Sequence, residues 1–145
     1  MFTKILVPVD GSDSSNRALE KAIELGRVFS SEIVVFSVAP ESHIMKYTTT
    51  VSEQNEKLNE DSYNTIKEIL DLSIEKLINY PYSYDTDYSV GDPSSEIIEY
   101  ANNNNIDLIV MGNRDLGMFS RTFLGSVSTH VINHSDVSVL VVKDW

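Results

Sequence analysis

Four short runs dominate the pattern of this chain: 4–9 (KILVPV), 33–38 (IVVFSV), 107–111 (DLIVM) and 137–142 (VSVLVV) are apolar with almost no alternation. A strand with one face in water alternates apolar and polar residues, so unbroken runs of this length belong to strands buried on both faces. Burial on both faces requires helices above and below the sheet, and the segments between the runs have to supply them.

From Ser15 onward, Ala18, Ala22, Leu25, Gly26 and Phe29 share one face of a 3.6-residue helix. The turn before it, Asp10-Gly11-Ser12-Asp13-Ser14, is rich in helix-capping residues. Residues 39–51 have no period and read as a loop. A long helix is expected over 52–79, with Leu58, Ile66, Ile69, Leu70, Leu77 and Ile78 on its inner side and Pro81 ending it. Residues 84–90 do alternate, with Tyr84, Thr86, Tyr88 and Val90 opposite Asp85, Asp87 and Ser89, as in a half-exposed strand at a sheet edge. Gly91-Asp92-Pro93-Ser94 turns into a short helix carrying Ile97, Ile98 and Ala101. The asparagines at 102–105 stop it, since their side chains compete for the backbone and tolerate the left-handed region. After a glycine-punctuated loop, a last helix runs from Gly125-Ser126 to about His134.

Five strands alternating with four helical stretches define an α/β fold, a parallel sheet with helices on both faces, within a single domain over 1–145. Ligands of such sheets sit beyond the carboxyl ends of the strands. The candidate site therefore lies at 10–14, 38–39 and 111–128.

The last of these segments reads MGNRDLGMFSRTFLGSVS. Glycines 112, 117 and 125 lack a Cβ, so they permit close approach and positive φ. Gly125-Ser126 opens a helix whose first amides carry partial positive charge, and Ser126 and Ser128 add hydroxyls. The whole chain has 11 Lys+Arg against 22 Asp+Glu, a net charge of −11. Yet Arg114 and Arg121 face only Asp115 here, and no acidic residue occurs from Leu116 to Ser135. A phosphate-bearing ligand fits this loop. Duplex nucleic acid and anionic membranes are disfavoured partners for so acidic a surface.

The opening KILVPVDGS, the MGNR closing the fourth strand and the LGSVS opening the last helix resemble the universal stress protein family over essentially the whole chain. The resemblance implies the strand order 3-2-1-4-5, the doubly wound architecture of the adenine-nucleotide α-hydrolase-like folds, and a Gly-x2-Gly-x9-Gly-Ser/Thr motif for ATP. Gly112 and Gly125-Ser126 keep that spacing, and Asp115 stands in place of the second glycine. The resemblance places Asp10 on the ribose or adenine edge, and Pro8, Val9, Val38 and Met111 against the base. It places Gly112, Arg114, Gly125, Ser126, Val127 and Ser128 around the phosphates. A carboxylate about 4 Å from a phosphate oxygen costs about 4 kcal/mol at an effective dielectric of about 20. ATP would therefore come with Mg2+ or Mn2+ bridging to Asp115, or with that side chain turned to solvent.

The function expected is a stress-response module that binds ATP as a homodimer and acts on a further protein partner. Dimer pairing is expected through Val137, Val139, Leu140, Val141 and Val142, an apolar edge strand that needs covering by a second copy or by Lys143-Asp144-Trp145. One alternative is a nucleotide-independent dimeric module whose phosphate site Asp115 has closed. Another is a slow Mg-dependent ATP hydrolase using Asp10 or Asp13. No positioned general base is evident, so any hydrolysis should be weak. His130 and His134 have zinc-pair spacing, but the Glu of a His-Glu-x-x-His motif is missing and there is no cysteine, so no metal site is assigned. No run reaches the roughly 20 apolar residues of a membrane span, and no signal-peptide pattern opens the chain. A cytoplasmic location is expected.

Overall fold

Strand β1 (Lys4–Pro8) lies at the centre of a five-stranded sheet in a computed structural model that describes residues 1–40, 52–113 and 125–143. The other strands are β2 (Glu32–Pro40), β3 (Tyr84–Gly91), β4 (Leu108–Gly112) and β5 (Ser138–Val142). Their order is β3-β2-β1-β4-β5 and every pairing is parallel. Helices α1 (Asp13–Phe29), α2 (Ser52–Leu77), α3 (Pro93–Asn103) and α4 (Ser126–His134) run between them. The expected α/β class and strand order are both present.

The unbroken apolar runs divide by parity between two cores. Ile5 and Val7 join Ile33, Val35 and Val110 on one face, against Ala18, Leu19 and Ala22 of α1 and Ile66, Leu70 and Leu77 of α2. Leu6 joins Val34, Phe36, Ile109 and Met111 on the other, against Ile97 and Ala101 of α3 and Val131 of α4. Each fully buried aliphatic side chain contributes about 1.5–3 kcal/mol relative to exposure. The central strands are therefore the most heavily stabilised part of the chain.

Helix ends follow local chemistry. Ser12 caps α1 by accepting the Ser15 amide at 3.1 Å, so the helix starts at Asp13, two residues before the apolar stripe suggests. Asp92 caps α3, with Pro93 at its first position. That helix ends at Asn103, and Asn105 takes the left-handed conformation at φ 57°.

Four expectations need correction. Strand β5 is not buried on both faces: it is a sheet edge in which no residue is fully buried and Ser138 and Leu140 are exposed, because among the described residues only β4 pairs with it. Helix α2 stops at Leu77, so Ile78 points away from the core and is 74% exposed. Strand β2 runs on to Pro40, through Ala39, because β3 pairs with it as far as Pro40 and Gly91. Strand β3 has no continuous buried face: Tyr84, Tyr88 and Val90 are exposed along with Asp85 and Asp87, because no helix covers enough of this edge. The side chain of Leu58, residues 41–51 with His43, and Asp144 and Trp145 lie outside the described residues.

Asp107 fastens the start of β1 to the start of β4. Its Oδ2 accepts the Thr3 amide at 2.8 Å and the Thr3 hydroxyl at 3.0 Å, and its Oδ1 accepts the Lys4 amide at 3.1 Å. Burial opposes its ionisation, but these bonds prevail and hold the carboxyl below its usual range. A carboxyl lowered in the folded state adds stability above its unfolded pKa, about 3.9, and loses it as pH falls through the lower folded value. Asp107→Ala should cost ~1 kcal/mol at neutral pH, after allowance for solvent exposure. Urea unfolding at pH 7 and in steps below about pH 4 should show the gap between variant and wild type closing as acid is added.

Candidate functional site

The turn after β1 is built by its own side chains. Gly11 takes φ 84°, which a residue with a Cβ rarely adopts. Asp10 Oδ1 accepts the Ser12 amide at 3.0 Å, and the Asp10 amide reaches Ser15 Oγ at 3.3 Å. Val9 makes the last ladder bond of this strand, its amide donating to Phe36 O at 2.8 Å. The Val9 carbonyl is then taken by the buried hydroxyl of Ser37 at 2.9 Å.

Because β1 ends here while β2 continues to Pro40, the sheet has a notch. The register of β1 with β2 finishes at Pro8 and Phe36. Backbone groups of a strand alternate in direction, so Val38, two residues after Phe36, turns its N–H and C=O to the side that β1 has vacated. Among the described residues no main-chain group closes onto Val38 from that side.

A cavity of ≈ 400 Å³ fills the notch. Pro8, Val9 and Asp10 line it from β1 and its turn, Val38 from β2, Met111 and Gly112 from β4, and Val127 from the first turn of α4. Those seven were all named from the sequence. The cavity stands at the carboxyl ends of β1 and β4, where the chain order reverses direction, the usual ligand position in an open α/β sheet. Its volume is in the range of small-molecule pockets, and most of its lining is aliphatic.

Sequence reasoning missed one wall. Ser62, Thr65, Ile66 and Ile69 of α2 close the cavity, as do Pro93 and Ile97 of α3. The spacing of 62, 65, 66 and 69 is a helical stripe that turns polar at one end, and this was the available signal. Ile66 and Ile69 were placed on an inner face, but nothing local told that this face overlooks a cavity.

The remaining predicted residues divide. Arg114 and Asp115, with Gly117 and Arg121, lie outside the described residues. Gly125, Ser126 and Ser128 stand at the start of α4 and do not line the cavity themselves. Gly125 is the N-cap at φ −67°, and its amide donates to Asn113 O at 2.7 Å. Ser128 is buried, and its hydroxyl donates to Gly125 O at 3.1 Å. Positive φ is thus not what Gly112 and Gly125 provide; it occurs at Gly11 and Gly91.

Gly112 provides close approach instead. A Cβ there would lie 2.1 Å from Ser14 Oγ and 2.7 Å from Ser14 O, so only glycine lets β4 meet the first turn of α1. On the opposite wall, Asp92 accepts from Ser95 through both side chain and amide and from Ser94, and these bonds hold its carboxyl below the usual range. The network fixes the start of α3 and with it Pro93. His130 and His134 stack with ring centroids 4.3 Å apart, and among the described residues no group of three metal-ligating side chains forms.

This architecture, a 3-2-1-4-5 parallel sheet with a cavity at its switch point, is that of a ligand-binding α/β domain. A sequence profile of the universal stress protein family matches residues 1–143, and the chain belongs to that family. Universal stress protein YxiE of Bacillus subtilis is 32% identical, over 99% of this chain and 100% of that protein. Universal stress protein MJ0577 of Methanocaldococcus jannaschii has a solved structure with TM-score 0.88 and 28% identity, covering 100% of this chain and 98% of that one. A universal stress protein solved in complex with cAMP has TM-score 0.74 and 25% identity, over 97% of each chain.

Gly112→Ala tests the close approach directly. Displacing Ser14 backbone should cost about 1–3 kcal/mol, the usual penalty of overpacking, read as a lower thermal midpoint than wild type.

Proposed function

We propose that this protein binds an adenine nucleotide in the cavity between β1, β2 and β4 and serves as a nucleotide-responsive regulatory module. The observation that carries the reading is Val38. One extended residue presents its donor and acceptor side by side, and the Watson–Crick edge of adenine offers an acceptor at N1 and a donor at N6. Val9, Met111 and Ile97 give the base an aliphatic seat. Asp10 lines the cavity with one carboxylate oxygen on the Ser12 amide, and its other oxygen suits a ribose hydroxyl.

Phosphates fit beside Gly112 and Val127, toward the first turn of α4, where a helix leaves its N-terminal amides outside its own ladder. We assign Gly125, Ser126, Val127 and Ser128, the main chain and hydroxyls at the start of α4, to the anion. The relative solved in complex with cAMP supports an adenine ligand for this fold. We further propose that ATP, with Mg2+ or Mn2+, is the physiological form, that the chain works in the cytoplasm as a homodimer paired through β5 and acts on a further protein, and that it binds nucleotide without appreciable turnover. No helix among the described residues is long and apolar enough to cross a membrane.

Calorimetry with AMP, ATP and ribose 5-phosphate tests the reading, the sugar phosphate carrying the anion without the base. AMP and ATP should bind, and ribose 5-phosphate should bind far more weakly. Val38→Pro removes one N–H on the side that no strand pairs. It should weaken AMP binding roughly tenfold or more, the worth of one well-placed hydrogen bond, with little change in melting. Absence of binding by AMP, ADP and ATP alike would reject the proposal. Asp115→Gly should tighten ATP more than AMP, because like-charge repulsion grows with the number of phosphates. Equal or weaker ATP affinity in that variant would show that Asp115 does not oppose the ligand.

A further inference from the structure

An open sheet edge exposes a row of main-chain donors and acceptors that can template pairing with another chain. Strand β3 is such an edge, since among the described residues it pairs only with β2. Ile33 donates to Ser83 O at 3.0 Å, so Ser83 faces β2. By alternation the backbone groups of Asp85, Asp87 and Ser89 also face β2, and those of Tyr84, Thr86, Tyr88 and Val90 face outward.

Two of those outward amides are occupied from within. Asp85 Oδ1 accepts the Thr86 amide at 2.8 Å, and Asp87 Oδ1 accepts the Tyr88 amide at 2.8 Å. Each carboxylate closes onto the donor of the residue that follows it, and the two closures repeat with the period of the strand. Asp87 is held further, because Tyr100 donates its hydroxyl to Oδ2 at 3.0 Å. Burial first, and the Asp87 bond second, push that hydroxyl up to about 12, so it stays a donor under all ordinary conditions. Tyr100 in turn stacks on Phe36 of β2 at a centroid distance of 4.4 Å.

We infer that Asp85 and Asp87 lock the β3 edge against strand addition by occupying its outward amides, so that neither an extended segment of another protein nor β3 of a second copy can pair there. The lock needs the carboxylates as acceptors and not only as charges. A partner strand would have to break two charge-assisted bonds, each stronger than the neutral bond that replaces it. The edge is otherwise well suited to pairing: it is eight residues long, alternates regularly, and carries exposed Tyr84, Tyr88 and Val90.

Sedimentation velocity over a concentration series tests the inference with two double variants of the full chain. Asp85→Ala with Asp87→Ala removes the acceptors. Asp85→Asn with Asp87→Asn removes the charge and keeps an acceptor oxygen in the same place. The alanine pair should shift to larger species as concentration rises, and the asparagine pair should sediment as wild type. Association of the asparagine pair equal to that of the alanine pair would overturn the inference, because repulsion alone would then guard the edge. An alanine pair that sediments as wild type would overturn it as well. Amide exchange followed by NMR on dilute samples gives a second reading that does not need the double variant to fold. Thr86 in Asp85→Ala should exchange roughly tenfold faster than in wild type, the loss of one hydrogen bond. Thr86 and Tyr88 amides in wild type that exchange at the rate of free chain would defeat the proposal.

Discussion

The cavity exists because two neighbouring strands end at different heights. Strand β1 stops at Pro8, its last carbonyl beyond the strand sealed by Ser37 and its next turn closed by Asp10 and Gly11. Strand β2 is carried past that point to Pro40 by β3 on its far side. An extension held on one side only has backbone groups without a ladder partner on the other, and a buried notch with unpaired peptide groups is costly unless a polar partner enters it. The same mismatch that opens the cavity therefore sets what kind of ligand belongs there. In the proposed reading the ligand brings a flat apolar body for the aliphatic walls and a donor–acceptor edge for Val38.

Legibility in the sequence followed the locality of each signal. The inner strands β1, β2 and β4 declared themselves because burial on both faces leaves no room for polar residues, and they and β5 were found to within about two residues, the normal uncertainty of element ends; β5 carries the same unbroken apolar run but is an edge strand without a fully buried residue. Turn residues located the starts of α3 and α4 for the same reason, since Asp92 and Gly125 stand at those ends, whereas α1 begins two residues before its apolar stripe because Ser12 caps it. Ile78 failed because helical period continues on paper after the helix has ended. The alternation of β3 was real, but period says only which residues share a face. Whether a helix covers that face is a tertiary fact, and here α2 leaves Tyr84 and Tyr88 exposed.

The site was partly legible for a related reason. Residues just past strand ends are fixed by the fold class, so Asp10, Val38 and Met111 are legible from the strand pattern, and Pro8 from the family resemblance. Ser62 and Thr65 could not, because they reach the cavity through the path of α2 over the sheet. The glycines were assigned to the right places for an incomplete reason. Gly112 is required by Ser14 of α1 and not by a positive φ, so the residue that flanks the proposed anion position also sets how closely α1 approaches β4.

The two halves of the cavity differ in how they would hold a ligand, and this bears on the role of the anion. The half we assign to the base is preorganised: Val9, Ser37 and the Asp10 turn are bonded among themselves, and their positions do not wait for an occupant. On the phosphate side, the Gly125 amide and the Ser128 hydroxyl are already engaged within the chain. In the proposed reading, the start of α4 would act on the phosphates through its main chain and its dipole. In a chain of net charge −11, each added phosphate also meets a more negative surrounding field. Affinity should consequently rest on the base and ribose, with the number of phosphates tuning it. In the proposed reading, a site of that construction is better suited to sensing which adenine nucleotide is present than to accelerating a reaction on one.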